Sequence, residues 1–195
     1  MPLVEDGSDV RTPPSRAGQV EVFLAKARKR FRDVSTAEAS LRAKMLDDLK
    51  FRASDQWPDA IRRQREADGR PCLTINRLPQ FIRQITNQQR ENKPSPIVSP
   101  VDSDADLKTA EVFQGMIRHI EQRSQAQVAY NTAGEHQATI GRGYLRIITE
   151  YESDHDPHQS IRIKRVRNPF TVYMDPSCQE LDYSDARYAF VVTDL

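Results

Sequence analysis

The apolar positions follow two spacing regimes that meet near residue 141. From about residue 20 to 139 they recur at three- and four-residue steps, as in helices buried along one stripe. After residue 143 they alternate with period two, as in half-buried strands. Over residues 20–53, Leu24, Ala27, Phe31, Val34, Leu41 and Met45 predict one long helix, with Glu38 the one polar break. Pro58 suits the first turn of a short helix with Asp55 as an upstream cap. "ADGRP" ends that helix, because Gly69 can take the left-handed conformation and Pro71 prevents continuation. Asn76 resembles the N-cap of a third helix, 77–92, whose stripe is Leu78, Phe81, Ile82 and Ile85. The prolines of "NKPSPIVSPV" then confine Ile97 and Val98 to a short or edge strand. A further long helix is predicted over 103–139, capped by Asp102 or Ser103, with Asp104 and Asp106 favouring its positive end. Its stripe of Phe113, Ile117 and Ile120 weakens into Ala126, Ala129, Ala133 and Ala138, small enough for close packing. Gly115 and Gly134 lower its intrinsic stability, so neighbouring elements are expected to support it.

The change of regime falls in "IGRGYLRIITEY", residues 140–151. Gly141 is expected to terminate the helix and Gly143 to free the turn into the strand through an unusual backbone angle. Tyr144, Arg146, Ile148 and Glu150 then alternate with Leu145, Ile147, Thr149 and Tyr151. "ESDHDPHQ" reads as a polar turn and "SIRIKRVR" as the returning strand of a hairpin. "FTVYMD" and "RYAFVVTDL" supply a third and a fourth strand. The fold class is therefore α+β: long helices over about 20–53, 77–92 and 103–139, followed by an antiparallel β-region over about 143–195. The domain division in sequence order is a flexible tail (1–19), a helical region (20–139) and a β-rich region (140–195). The last strand reaches the end of the sequence without a capping element, so the sheet is expected to continue in a longer protein.

Composition changes this picture by making it polar. Apolar residues are 37% of the chain and charged residues 29%, and mean hydropathy is −0.71. The periodic segments argue against disorder, so a modest core with sizeable interfaces is expected. No run of about 18 apolar residues exists to span a membrane, and the N-terminus lacks the pattern of a secretory signal. Cys72 and Cys178 are far apart and read as buried free thiols of a protein made in the cytosol. Trp57, the single tryptophan, is expected to be an anchor buried where two helices meet.

The net charge of +1 conceals a segregation. Residues 22–93 hold 17 basic and 9 acidic residues, whereas residues 94–195 hold 10 and 15. Such a basic front can meet nucleic acid, or the acidic rear of a neighbouring copy in head-to-tail assembly. The first option makes residues 22–93 a nucleic-acid-binding module. However, beyond Phe31 no base-stacking aromatics interleave with Arg28, Lys29, Arg30 and Arg32. The second makes Arg62, Arg63, Arg65 and Arg70 candidates for ion pairs between subunits.

No catalytic arrangement emerges from the spacing. "TIGRGY" lacks a third glycine and runs helix to strand, whereas a dinucleotide fingerprint runs strand to helix. Asp154, His155, Asp156 and His158 offer four metal-ligand types in five residues, but a polar turn explains them without a metal. His119 and His136 are too far apart to pair. Asp182 and Asp185 have no partner base or nucleophile, and turn and capping roles account for both. No catalytic, metal or cofactor residue is assigned.

Taken in order, several motifs form a recognisable series: "FRASDQWP", "GRPCLTINRL", "ITNQQRENKPSPIVSP", "TAEVFQGMIRHIEQRSQAQVAYNTA", "GRGYLRIITEY", "IRIKRVRNPFTVYMDP" and "DYSDARYAFV". The series resembles the N-terminal part of portal proteins, the head-to-tail connectors of short-tailed double-stranded DNA bacteriophages, from about residue 20 onward. The resemblance implies a structural subunit without catalytic activity, assembled with copies of itself into a dodecameric ring at one capsid vertex of the virion. It implies that DNA passes through the ring during packaging and ejection. It further implies docking of terminase, contact with capsid or scaffold, later replacement of terminase by tail or head-completion proteins, and assembly in the host cytoplasm without a membrane. This segment would supply long helices and part of the β-rich wing.

Overall fold

The computed structural model describes residues 16–92, 95–101, 106–153, 155–180 and 182–193. Among these residues the order is α1 (Arg16–Arg52), α2 (Asp59–Ala67), α3 (Leu78–Glu91), α4 (Leu107–Arg123), α5 (Ala126–Ile140), β1 (Leu145–Ser153), β2 (Asp156–Arg165), β3 (Val172–Met174) and β4 (Ala189–Val191). The class is α+β. Residues 1–15 of the expected tail lie outside the described residues, and residues 16–19 belong to α1. The chain gathers into two compact units that do not follow the sequence-order division at residue 140. One joins α1 through Ala39 to Tyr173–Val191. The other joins Ser40–Val172 to Val192 and its successors.

The first unit is built on aromatic contacts. Phe31 meets the rings of Tyr173 and Phe190 edge-on at 4.9 and 5.6 Å. Tyr188 packs on Phe190, and the Arg30 guanidinium lies 4.6 Å over the Tyr188 ring. Val34 is fully buried on α1, and Glu38, the polar break in its stripe, is buried as well. The turn after β3 is organised by Asp175, which is 2% exposed. Its carboxylate accepts from the Ser177 hydroxyl at 2.7 Å, the Ser177 amide at 3.0 Å and the Arg187 amide at 3.3 Å. These bonds, the Ser177 hydroxyl first, hold its pKa below the ordinary carboxylate value.

In the second unit the helix expected over 103–139 is two helices. Gln125 sits in the left-handed region at φ 50°, and the Ser124 and Gln125 amides close α4 on Ile120 and Gln122. The interruption is held by β2. Arg162 donates to the Arg123 carbonyl at 3.0 Å, and the Ile163 amide donates to Ser124 Oγ at 3.1 Å. The first of these satisfies a carbonyl that an unbroken helix would bond within itself, and the second gives a β2 amide a partner in the Ser124 hydroxyl. Asp102 and Ser103 lie outside the described residues; the observed cap of α4 is Asp106, which accepts from the Lys108 amide at 2.9 Å.

The small residues of α5 pack closely. Ala126, Ala129, Gly134 and Ile140 are buried, and a Cβ on Gly134 would lie 1.9 Å from Gln89 Oε1 of α3. On α3 the buried positions are Ile82 and Thr86, whereas Phe81 and Ile85 of the expected stripe are exposed. Phe113 is likewise exposed on α4, where Ala110 is buried.

β1 and β2 form an antiparallel hairpin with Ile147 opposite Ile163 and Ser153 opposite Asp156. Most of the expected turn "ESDHDPHQ" is therefore strand. Lys164 and Glu150 form a cross-strand ion pair, and Arg123 reaches Glu152 of β1 at 2.6 Å. β3 and β4 form a separate two-stranded sheet of three residues each, shorter than the sequence pattern suggests.

Candidate functional site

Gly141 acts at the end of α5 as its sequence predicts, in the left-handed region at φ 79° with its amide bonded to the Gln137 carbonyl. Gly143 acts for a different reason. It is not among the positive-φ glycines, so the expected unusual backbone angle is absent. Instead, a Cβ on Gly143 would lie 1.9 Å from the Ala133 carbonyl oxygen, and the missing side chain lets the two backbone segments touch.

Between α1 and α3 the chain forms α2 and a long return built on side-chain hydrogen bonds. Asp55 does not cap α2; it pairs with Arg62, which also lies 3.8 Å from Asp59. Gly69 has the predicted left-handed conformation at φ 67°, and the Arg70 amide returns to the Arg65 carbonyl at 2.8 Å. Trp57 is half-buried rather than buried. Its indole donates to the Leu73 carbonyl at 3.3 Å, and the Arg65 guanidinium stacks 5.0 Å over its ring. Arg65 also donates to the Pro71 carbonyl at 3.0 Å. Cys72, expected to be buried, is half-exposed, as is Cys178.

Of the four sequence-selected arginines, Arg62 and Arg65 are thus held within the chain. Arg63 and Arg70 are exposed and have no side-chain partner among the described residues. Nearby basic residues are also held: Arg42 donates to the Phe170 and Val172 carbonyls at 2.7 and 2.5 Å, and Arg52 binds Glu135 at 2.5 Å and Thr139 at 3.0 Å.

Residues 71–76 are extended, and exposure alternates along them. Cys72, Thr74 and Asn76 are half-buried, whereas Leu73 is 78% and Ile75 82% exposed. Asn76 ties this segment down: Nδ2 donates to the Arg52 carbonyl at 2.7 Å and to Ser54 Oγ at 2.9 Å, and Oδ1 accepts from the Leu78 amide at 3.2 Å. It therefore caps α3, as its sequence suggests, and clamps the end of α1.

A second extended segment follows α3. The Gln114 side chain of α4 binds residues on either side of Ile97, donating to the Pro96 carbonyl and accepting from the Val98 amide, both at 2.8 Å. Ile97 is 84% and Val101 97% exposed. Ile97 and Val98, expected as a short or edge strand, belong to no strand among the described residues. Sequence periodicity does not single out Leu73 and Ile75; their signal is the run "PCLTIN" itself, alternating between polar and apolar outside any hairpin.

The remaining candidates are ordinary. Asp182 and Asp185 accept from the Ser184 and Gln179 amides at 3.1 and 2.8 Å, as turn residues do. Asp156 accepts from the His158 amide at 2.9 Å, while Asp154 lies outside the described residues. Among the described residues no cluster of three or more metal-ligand side chains occurs, and no helix is long and apolar enough to cross a membrane. On α5, burial lowers the His136 pKa. Burial also raises that of Tyr130 to about 12, assisted by its hydrogen bond to Glu121.

The chain is 24% identical over 177 residues to "Portal protein" of Acyrthosiphon pisum secondary endosymbiont phage 1, a match covering 86% of this chain and 25% of that protein. The chain thus spans about a quarter of the length of the curated relative it matches. The profile of the phage P22-like portal protein family matches residues 28–195, most of the helices and every strand described above, and the chain belongs to that family.

Proposed function

We propose that this chain is the leading part of a portal subunit that joins copies of itself in a ring at one capsid vertex of the virion. Double-stranded DNA passes through that ring during packaging and ejection. In this reading terminase docks on the ring first and tail or head-completion proteins replace it, with assembly beside capsid or scaffold in the host cytoplasm. The role is structural rather than catalytic. The family match over residues 28–195 carries the reading, and large apolar side chains exposed on α3, α4 and the extended segments support it. Dodecameric stoichiometry is part of the proposal. So are inter-subunit roles for Arg62, Arg63, Arg65 and Arg70. Arg63 and Arg70 suit such pairing best, because they are exposed and their side chains meet no partner among the described residues.

The alternative, a nucleic-acid module over residues 22–93, draws less support because Arg42, Arg52, Arg62 and Arg65 are spent on internal partners. Negative-stain microscopy of the full-length protein tests the main reading. Closed rings are expected; a monomer at every concentration and salt would reject it. DNA affinity that falls steeply with salt, without rings, would favour the alternative.

A further inference from the structure

Two segments of this chain share an incomplete geometry. In residues 71–76 the Pro71 and Leu73 carbonyls are taken by Arg65 and Trp57. The backbone groups of Cys72 and Thr74 have no hydrogen-bond partner among the described residues. In residues 95–98 the Gln114 amide occupies the Pro96 carbonyl and the Val98 amide, while the backbone groups of Ile97 have no such partner among the described residues. Each segment is extended, pinned along one edge by side chains and open along the other. Each also presents apolar side chains to solvent: Leu73 and Ile75 in the first, Ile97 and Val101 in the second. An open edge with outward apolar residues is a template for pairing with another strand.

Their charged surroundings differ in the groups left without a partner. Arg70 and Arg77 flank the first segment, are exposed, and have no side-chain partner among the described residues. On α4, whose Gln114 holds the second segment, the exposed carboxylates are Asp106 at the helix start and Glu111 one turn before Gln114, with Lys108 between them and Arg118 lining a surface hollow with Ser95. The segments adjoin opposite ends of α3, a helix of 14 residues. At 1.5 Å per residue this separates them by about 21 Å. Two complementary surfaces at opposite ends of one element fit a heterologous, head-to-tail contact, the kind that closes into a ring when its rotation permits.

We infer that residues 71–76 of one copy dock edge to edge on residues 95–101 of the next, with Arg70 and Arg77 facing Asp106 and Glu111. The occupant of each segment is a second copy of this chain. The inference rests on the ring reading proposed above and names where successive subunits meet.

The test uses the full-length protein in a background without other cysteines, carrying Leu73→Cys and Ile97→Cys. Mild oxidation should produce a ladder of covalent oligomers on denaturing gels, and each single cysteine should give dimers at most. A second pair, Ile75→Cys with Ser99→Cys, keeps the same parallel register two residues further on, guards against a variant that fails to fold and should also give the ladder. Arg77→Glu should reduce the ladder several-fold, and adding Glu111→Arg should restore it. Rings by microscopy with no ladder from either pair would overturn the inference and leave the ring reading standing. So would cross-links that form only within one chain. No rings and no ladder in the parent protein would overturn both.

Discussion

The junction of α4, α5 and the hairpin differs sharply from the two extended segments flanking α3. At the junction, polar groups released by local irregularity find partners inside the chain. The helix break at Ser124–Gln125 exposes the Arg123 carbonyl and the Ser124 hydroxyl, and Arg162 and Ile163 of β2 occupy them. In residues 71–76 and 95–98 only part of one edge finds partners among the described residues, and Leu73, Ile75 and Ile97 are exposed. The first region is folded by its own sequence. The second has the local order of a strand without the neighbour that gives a strand its stability. A polar chain with a modest core tolerates this because the outward residues contribute little to its own folding.

Substitutions should separate the two regions by the size of their effect. The largest is expected at Gly143. Gly143→Val forces a side chain against the Ala133 carbonyl and should destabilise the chain by about 3 kcal/mol, measured by urea unfolding. Gly143→Ala should also be damaging, since the first added carbon is the one that clashes. An unchanged midpoint for both would contradict the close-approach account.

Arg42→Ala removes two charge-assisted bonds to the Phe170 and Val172 carbonyls and should cost about 2 kcal/mol. Retention of full stability in thermal melts would show those carbonyls to be solvated as readily by water. Gly141→Ala must adopt the left-handed conformation and should cost about 1 kcal/mol, while Gly141→Asn, which tolerates that region better, should cost less.

Asp175 provides a pH-dependent comparison. Its folded pKa is depressed, so its contribution is fully present above the ordinary carboxylate value of about 4. That contribution is lost as pH falls through the lower folded value. Asp175→Asn should therefore narrow the difference in stability between pH 7 and pH 3 seen in the parent. A parallel pH profile in the two proteins would argue against it. The smallest effect belongs to the extended segments: Leu73→Ser and Ile75→Ser should change the stability of the unassembled chain by no more than about 0.5 kcal/mol. A large loss on melting would mean that these side chains already serve this chain's own core.

Much of the architecture was legible in the sequence because it depends on local periodicity. The stripe from Ala27 to Met45 marks α1, the alternation after Tyr144 marks the hairpin, and Gly69 and Gly141 mark helix ends through a conformation that glycine favours. The break at Ser124–Gln125 was not legible: neither residue is a strong breaker, and the bonds that hold the interruption come from β2, almost forty residues later. Gly143 was identified for the wrong reason, because its constraint is set by a carbonyl ten residues upstream rather than by its own dihedral. The two compact units were hidden for the same cause, since one of them joins α1 to residues that follow Val172. Charge segregation pointed to four arginines. It could not separate Arg62 and Arg65, which are spent on Asp55, Trp57 and Pro71, from the exposed Arg63 and Arg70.

In the proposed ring, residues 71–76 and 95–101 are incomplete alone and are completed by a neighbouring subunit. Amide hydrogen exchange of the full-length protein, compared between assembled ring and unassembled subunit, tests this most directly. The prediction is rapid exchange at Cys72, Thr74 and Ile97 in the subunit, with strong protection of both segments in the ring and little change in α5 or the hairpin. Equal, rapid exchange of both segments in the assembled ring would contradict it.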